Sequence, residues 1–289
     1  MTDLMIIGKK GQLGAELVSY CKKNGKKFVA FGSDQLDITD YAKVTQIVNK
    51  INPKVIINTA AFRVVTECEK NPSVTFMVNS FAVGNLAEVA KKNNSKLVTY
   101  STDYVFDGKK EKPYLENDIP NPLQIYGMSK FASEQLIQKV YPEGTYVIRT
   151  CGLYGGKVTK GQGKKGNFVL NILAEAKKEE AIRASNELIV NPTSAKNLAE
   201  ATMKLLDLGA PFGIYHLVNE GYLSWYDFAK MILKLAGIKK SVTPIKGQAT
   251  VIDLKRPKFS ALKNKKAKNM GIVLPKIEDG LREYLREII

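Results

Sequence analysis

Leu4-Met5-Ile6-Ile7-Gly8-Lys9-Lys10-Gly11-Gln12-Leu13-Gly14 stands almost at the start of the chain and sets its architecture. Four apolar residues in a row suit a strand buried on both faces. The run breaks on glycine. Leu13, Leu17, Val18 and Cys21 then recur with a helical period. Strand, glycine turn and helix is the context that a dinucleotide fingerprint requires. The glycines let the backbone turn tightly and approach a pyrophosphate, toward which the free N–H groups of the helix start are directed. The spacing here is G-x-x-G-x-x-G rather than G-x-G-x-x-G. Glycines alone read as a tight turn without a ligand; the strand before them and the helix after them weigh toward a cofactor.

Apolar runs continue to alternate with helical patterns. Strands are expected at Leu4–Gly8, Lys27–Phe31, Val55–Asn58, Leu97–Ser101 and Val147–Arg149, with helices such as Val83–Lys92 and Ser129–Val140 between them. Repeated βαβ units give a parallel sheet with helices on both faces, and right-handed crossovers bring the strand C-terminal ends to one edge. Gly8, Asn58 and Ser101 all fall at such ends. After Arg149 the rhythm breaks. Residues 151–166 are rich in Gly and Lys, Phe168–Lys177 reads as a helix, and Asn191-Pro192-Thr193 reads as a turn before a helix at Ala195–Leu206. A strand at Ile214–Val218 returns to the main sheet, and Trp225–Ala236 and Leu281–Ile288 are amphipathic helices. The expected fold is α/β: a Rossmann-type doubly wound parallel sheet with a smaller α/β C-terminal substrate lobe. Residues 1–150 with about 194–218 would bind the dinucleotide, and 151–193 with 219–289 the substrate.

Tyr126-Gly127-Met128-Ser129-Lys130 places a phenol and an ammonium four residues apart, on one face if the stretch is helical. A cation there favours the phenolate and should lower the tyrosine pKa, making a proton donor for a carbonyl being reduced. By itself the spacing more often marks a solvated helix face.

Composition bounds the remainder. The chain has 289 residues, 44% of them hydrophobic, enough for one large domain or a domain with a smaller lobe. No apolar run approaches the ~18 residues of a membrane span, and Met1-Thr2-Asp3 lacks a basic leader, so a cytoplasmic protein is expected. Cys21, Cys68 and Cys151 are scattered, as suits buried thiols rather than a disulfide frame or zinc site. His216, the one histidine, reads as a satisfied core or surface residue. The net charge of +16 is spread along the chain without a nucleic-acid motif, so neither nucleic acid nor membrane is expected as a partner. A denser cluster, Lys157, Lys160, Lys164 and Lys165, could close over a diphosphate or simply be a mobile loop.

Further segments carry a resemblance. They are Leu36-Asp37-Ile38-Thr39, Asn58-Thr59-Ala60-Ala61, Val78-Asn79, Ser101-Thr102-Asp103-Tyr104-Val105-Phe106-Asp107-Gly108, Tyr126–Lys130, Arg149-Thr150, Asn167-Phe168-Val169, Pro192-Thr193, Ser224-Trp225-Tyr226-Asp227-Phe228-Ala229 and Arg256-Pro257. With the glycine loop, these make the chain resemble the extended short-chain dehydrogenase/reductases nearly end to end. Within them it is similar to the dTDP-4-dehydrorhamnose reductase family, for which the run from Ser101 to Gly108 is quite specific. The resemblance implies NAD(P)H-dependent reduction of the 4-keto group of a nucleotide-activated 4-keto-6-deoxy sugar, with Thr102, Tyr126 and Lys130 as the catalytic set. It implies cofactor contacts from Gly8, Lys10, Gly11, Gln12, Leu13, Gly14, Asp37, Ile38, Ala60, Ala61 and Ser101, together with Tyr126 and Lys130. It implies substrate contacts from Thr102, Asp103, Tyr104, Asn167, Phe168 and Arg256.

NADPH is the expected cofactor, with NADH as the alternative. Gly32 stands where relatives often carry an acid for the ribose 2′-hydroxyl, and Lys10 stands where some carry a base for the 2′-phosphate. Relatives usually have tryptophan at Gly152 and glutamine at Leu188, which leaves the sugar open. Some dimerise through a glutamate-bound magnesium; Glu16 matches one such position but Lys196 replaces another glutamate, so no metal is expected. A monomer or homodimer is expected. Two other readings remain: a bifunctional UDP-sugar epimerase/reductase, whose acid/base cysteine position is Asp103 here, and a non-catalytic regulatory subunit with this fold, such as that of methionine adenosyltransferase.

Overall fold

Leu4–Ile7 (β1) is buried at every residue, as a strand must be when helices cover both faces. The computed structural model describes residues 2–156, 167–178, 181–246 and 254–289. The chain runs from β1 through α1 (Gln12–Lys23), β2 (Phe28–Phe31), α2 (Tyr41–Ile51), β3 (Val55–Asn58), α3 (Val65–Lys70), α4 (Pro72–Phe76) and a π turn (Met77–Phe81). There follow α5 (Ala82–Lys92), β4 (Lys96–Thr102), α6 (Ile125–Val140), β5 (Thr145–Thr150), β6 (Leu153–Tyr154), α7 (Phe168–Ala176), β7 (Ile182–Ser185), β8 (Ile189–Val190) and β9 (Thr193–Ser194). The last elements are α8 (Ala195–Asp207), β10 (Gly213–His216), β11 (Leu223–Ser224), α9 (Trp225–Leu235), β12 (Val242–Ile245), α10 (Lys265–Asn269) and α11 (Ile277–Ile288).

Among the described residues, six strands form one all-parallel sheet in the order β10-β5-β4-β3-β1-β2. This is a Rossmann-type doubly wound sheet. The chain leaves β1 for β2 on one side, then crosses to β3 on the other, so its direction reverses at β1. A ligand crevice opens at such a switch point, beyond the strand C-terminal ends. The return of β10 to the sheet follows the sequence expectation, with Gly213–His216 paired to Tyr146–Arg149.

Alternate residues of the strands feed two apolar layers. Leu4 and Ile6 face α1 and α8 through Leu13, Leu17, Leu198 and Leu205. Met5 and Ile7 face α2, α5 and α6 through Val44, Val48, Val83, Leu86 and Ile137. A third cluster, with Val169, Ile172, Phe228, Ile232, Leu281 and Leu285, joins α7, α9 and α11 beside the β7–β12 pair. The α2 helix was not among the sequence expectations. Its signal is local: Asp40 accepts the Lys43 N–H at 3.0 Å as an N-cap ahead of the apolar stripe Val44, Val48.

Cys21, Cys68 and Cys151 are buried free thiols, and His216 is fully buried at the end of β10. The lysine cluster from Lys157 to Lys165 lies outside the described residues. Among those described, no helix is long and apolar enough to cross a membrane.

Candidate active site

A cleft of about 500 Å³ lies over the C-terminal ends of β1, β3, β4 and β5. Its first wall is backbone. Gly8 has φ +91°, and a Cβ there would stand 2.5 Å from Thr59 Oγ1 and 2.9 Å from Ala60 N. A Cβ on Gly14 would strike the Gly8 carbonyl. Both positions therefore require glycine, and the β1–α1 turn packs directly on the β3 loop. The α1 helix starts without a side-chain cap and without an acid in its first turn, so its positive end is left to whatever lies in the cleft. Gln12 Oε1, Asn58 Nδ2 and Thr150 Oγ1 are buried cleft-lining polar atoms without a partner among the described residues. Backbone cradle, open helix start and unspent polar groups fit a dinucleotide.

The second wall is made of side chains on β4, β5 and α6. Thr102 ends β4; its hydroxyl accepts the Tyr104 N–H at 3.2 Å and donates to Asp103 Oδ1 at 3.0 Å. Asp103 Oδ2 accepts from Ser260 at 2.5 Å. Burial, which outweighs these bonds, pushes the Asp103 carboxyl above the usual range. Tyr126 and Lys130 lie one turn apart at the start of α6, and both line the cleft with Thr102. Tyr104 meets the Tyr126 ring edge-on, centroids 6.3 Å apart.

The electrostatics differ from the sequence expectation. The Tyr126 phenol is not pulled toward ionisation; burial pushes its pKa up, Asp103 and Cys68 add to the rise, and Thr102 offsets only part. Lys130 is the group that moves toward neutrality. It is 3% exposed, and burial lowers its pKa to about 8, with Glu134 resisting. Desolvation, which spacing cannot reveal, is the largest cause of both shifts. The result is a phenol that keeps its proton at neutral pH beside a cation that titrates near it.

Glu134 continues the Tyr126–Lys130 stripe by another four residues and went unnoticed in the sequence. It accepts two hydrogen bonds from Arg149, from Nε at 2.9 Å and Nη2 at 2.6 Å, in a fully buried ion pair. Ser101 donates its hydroxyl to the same carboxylate. Ser101 is thus in the cleft wall as expected, but its side chain is committed to α6. Since Ser101 pairs with Arg149 and Thr102 with Thr150 in the β4–β5 register, Glu134 fastens the helix bearing Tyr126 to both strands that floor the site. Asn79 was also missed as an anchor: its amide spans Phe62 N at 2.8 Å, Phe62 O at 2.9 Å and Ser129 Oγ at 3.1 Å, holding the β3 loop against α6.

Of the expected cofactor contacts, Gly8, Lys10, Gly11, Gln12, Leu13, Gly14, Asp37, Ile38, Ala60, Ala61 and Ser101 all line this cleft, as do Thr102, Asp103, Tyr126 and Lys130. Tyr104, Asn167, Phe168 and Arg256 do not form its walls. Asn167 caps α7, accepting from Leu170 N at 3.0 Å, and its amide donates to Tyr284 Oη at 2.9 Å and Gly155 O at 3.2 Å, so its polar atoms are committed. Phe168 packs on Trp225 with centroids 4.5 Å apart. Arg256 donates to Tyr104 Oη at 2.8 Å. Tyr104 and Arg256 thus stand beside Tyr126, whereas Asn167 and Phe168 pack with α9 and α11. Gly152 does line it, with φ +54° and the Trp225 ring tip 3.2 Å from where its Cβ would be. Lys196 bonds Glu283 at 2.7 Å and Glu287 at 2.9 Å.

The model of the RmlD substrate binding domain family matches residues 1–289. The chain belongs to that family. It is 33% identical over 287 residues to the spore coat polysaccharide biosynthesis protein SpsK of Bacillus subtilis, covering 99% of this chain and 98% of the relative. It is 31% identical to the dTDP-4-dehydrorhamnose reductase of Escherichia coli, over 99% and 98% of the two chains. The fold is similar to that of the Bacillus anthracis dTDP-4-dehydrorhamnose reductase solved in complex with NADP, with TM-score 0.92, 32% identity, and 99% and 100% coverage. The RmlD relatives thus span the whole chain, both walls of the cleft included.

Proposed function

We propose that this chain is a cytoplasmic NADPH-dependent reductase of the 4-keto group of a dTDP-linked 4-keto-6-deoxy sugar, acting in deoxysugar synthesis. The observation that carries the reading is the meeting of Thr102, Tyr126 and Lys130 with the Gly8–Gly14 cradle in one cleft. Residues 1–150 with 194–218 would hold the dinucleotide, and 151–193 with 219–289 would close on the sugar nucleotide.

The residues divide the work as follows. Backbone N–H groups at the start of α1 hold the pyrophosphate, and Asp37 and Ile38 flank the adenosine end. Bound NADPH supplies a hydride for the carbonyl carbon. Thr102 orients the carbonyl oxygen by a hydrogen bond. Tyr126, kept protonated by its surroundings, delivers a proton to that oxygen as charge develops on it, and recovers one from solvent. Lys130 bonds the nicotinamide ribose and, as the ammonium, stabilises the phenolate left after transfer. The balance is one hydride and one proton added across the C=O bond, giving an alcohol.

NADPH oxidation followed at 340 nm with dTDP- and UDP-4-keto-6-deoxy sugars tests this. Turnover with the dTDP sugar supports the reading. Turnover with the UDP sugar alone moves it to the epimerase/reductase class. Tight cofactor binding without turnover in either series supports a regulatory subunit.

A further inference from the structure

Gly32 follows β2 at the point where dinucleotide folds that prefer NAD place an acid on the ribose 2′-hydroxyl. It has no side chain to offer, yet the space is occupied. A Cβ built on Gly32 would stand 2.5 Å from Asp34 Oδ1 and 3.1 Å from Lys10 Cε. The carboxylate two residues further on has folded back into the volume that a side chain at position 32 would fill. There Asp34 Oδ1 accepts from the Lys10 ammonium at 2.9 Å. Lys10 and Ser33 line the cleft, and Leu36, Asp37 and Ile38 continue the same wall. Lys10 and Asp34 are each more than half exposed, so both can exchange partners with a ligand. The Lys10 hydrogen bond holds the Asp34 carboxyl below the usual range, so it is an anion at neutral pH.

We infer that Asp34 stands in for the acid that Gly32 lacks, and that the Lys10–Asp34 pair lets one subsite accept both phosphorylated and unphosphorylated adenosine riboses. The inference rests on the dinucleotide site proposed above. With NADH, Asp34 accepts from the 2′-hydroxyl while still paired to Lys10. With NADPH, Lys10 turns to the 2′-phosphate, and Asp34 is left beside a second anion. Asp34 therefore favours NADH and opposes NADPH, while Lys10 does the reverse.

The test is calorimetric titration of NADP⁺ and NAD⁺, without sugar, into the wild-type chain, Asp34→Asn, Asp34→Ala and Lys10→Glu. Both positions are exposed, and thermal melts confirm that each variant folds. Asp34→Asn and Asp34→Ala are expected to tighten NADP⁺ and weaken NAD⁺, moving the ratio of dissociation constants about fivefold toward NADP⁺, the scale of an exposed ion pair. Lys10→Glu is expected to move it the other way by a larger factor. An unchanged ratio in the Asp34 variants, or equal weakening of both ligands, overturns the inference while leaving the reductase reading intact. Failure of the wild-type chain to bind either dinucleotide overturns both.

Discussion

The two ends of the cleft are built on opposite principles. At the Gly8–Gly14 end the wall is backbone, shaped by what is missing: side chains, a helix cap and a first-turn acid. At the Tyr126–Lys130 end the wall is side chains, shaped by what is packed behind them: a fully buried carboxylate–guanidinium pair and a ring of desolvated hydroxyls and thiols. The first end offers dipoles already fixed in place, which would suit a charged ligand. The second holds reactive groups at altered proton affinity, which only a dry, rigid surround can do. A nucleotide handle needs affinity from many weak donors, whereas proton transfer needs a single group held in place.

The sharpest way to break this contrast is Tyr126→Phe. Turnover should fall by about 10²- to 10⁴-fold while the NADP⁺ dissociation constant stays within about threefold. A variant that keeps its rate would remove the proton donor from the second end.

Next in size is the buried pair. Arg149→Met should cost about 3–5 kcal/mol of stability in urea unfolding, because Glu134 is left charged and buried. The double variant Glu134→Leu with Arg149→Met should recover much of that loss yet stay slow, since Ser101 no longer ties β4 to α6. Full activity in the double variant would show that the pair only fills space.

The backbone end is probed by Gly14→Ala. The added methyl strikes the Gly8 carbonyl, so NADP⁺ affinity should drop by the equivalent of about 1–3 kcal/mol, with kcat at saturating cofactor little changed. A drop in kcat alone would contradict the division of labour.

The smallest effect is on pH. Lys130 is charged below its lowered pKa of about 8 and neutral above it. If the ammonium is the working form, kcat/KM should be flat below that value and fall about tenfold per unit above it. Glu134 resists the lowering of Lys130, so Glu134→Gln should move the fall to lower pH. A profile flat to pH 10 would show that the charge on Lys130 is not used.

What the sequence reveals follows the same divide. Glycines report backbone geometry directly, because Gly8 and Gly14 admit nothing larger; the strand, turn and cleft were therefore legible from eleven residues. The Tyr126–Lys130 pair was legible as a spacing. Its electrostatics were not, because the shift of each group depends on how much water the rest of the fold removes. Glu134 carries no local signal that sets it apart; its partner Arg149 is brought beside it by tertiary packing across β5. Asn167 carries a local signal that the sequence reading did not use. An Asn directly before a helical run is first of all an N-cap, and that local reading predicts its bond to Leu170 without invoking a ligand.

The return of β10 to the sheet has a bearing on how the molecule is made. His216 pairs with Arg149, so the outer flank of the strand bearing the guanidinium is covered by residues synthesised long after it. A nascent chain that has not yet emerged as far as His216 presents β5 as a bare edge, open to pairing with a neighbouring chain, beside a cation not yet shut away from water. Closure of that flank is a late event, and ribosome-stalled chains with residue 216 still inside the exit tunnel and with it fully emerged should differ abruptly in their resistance to protease.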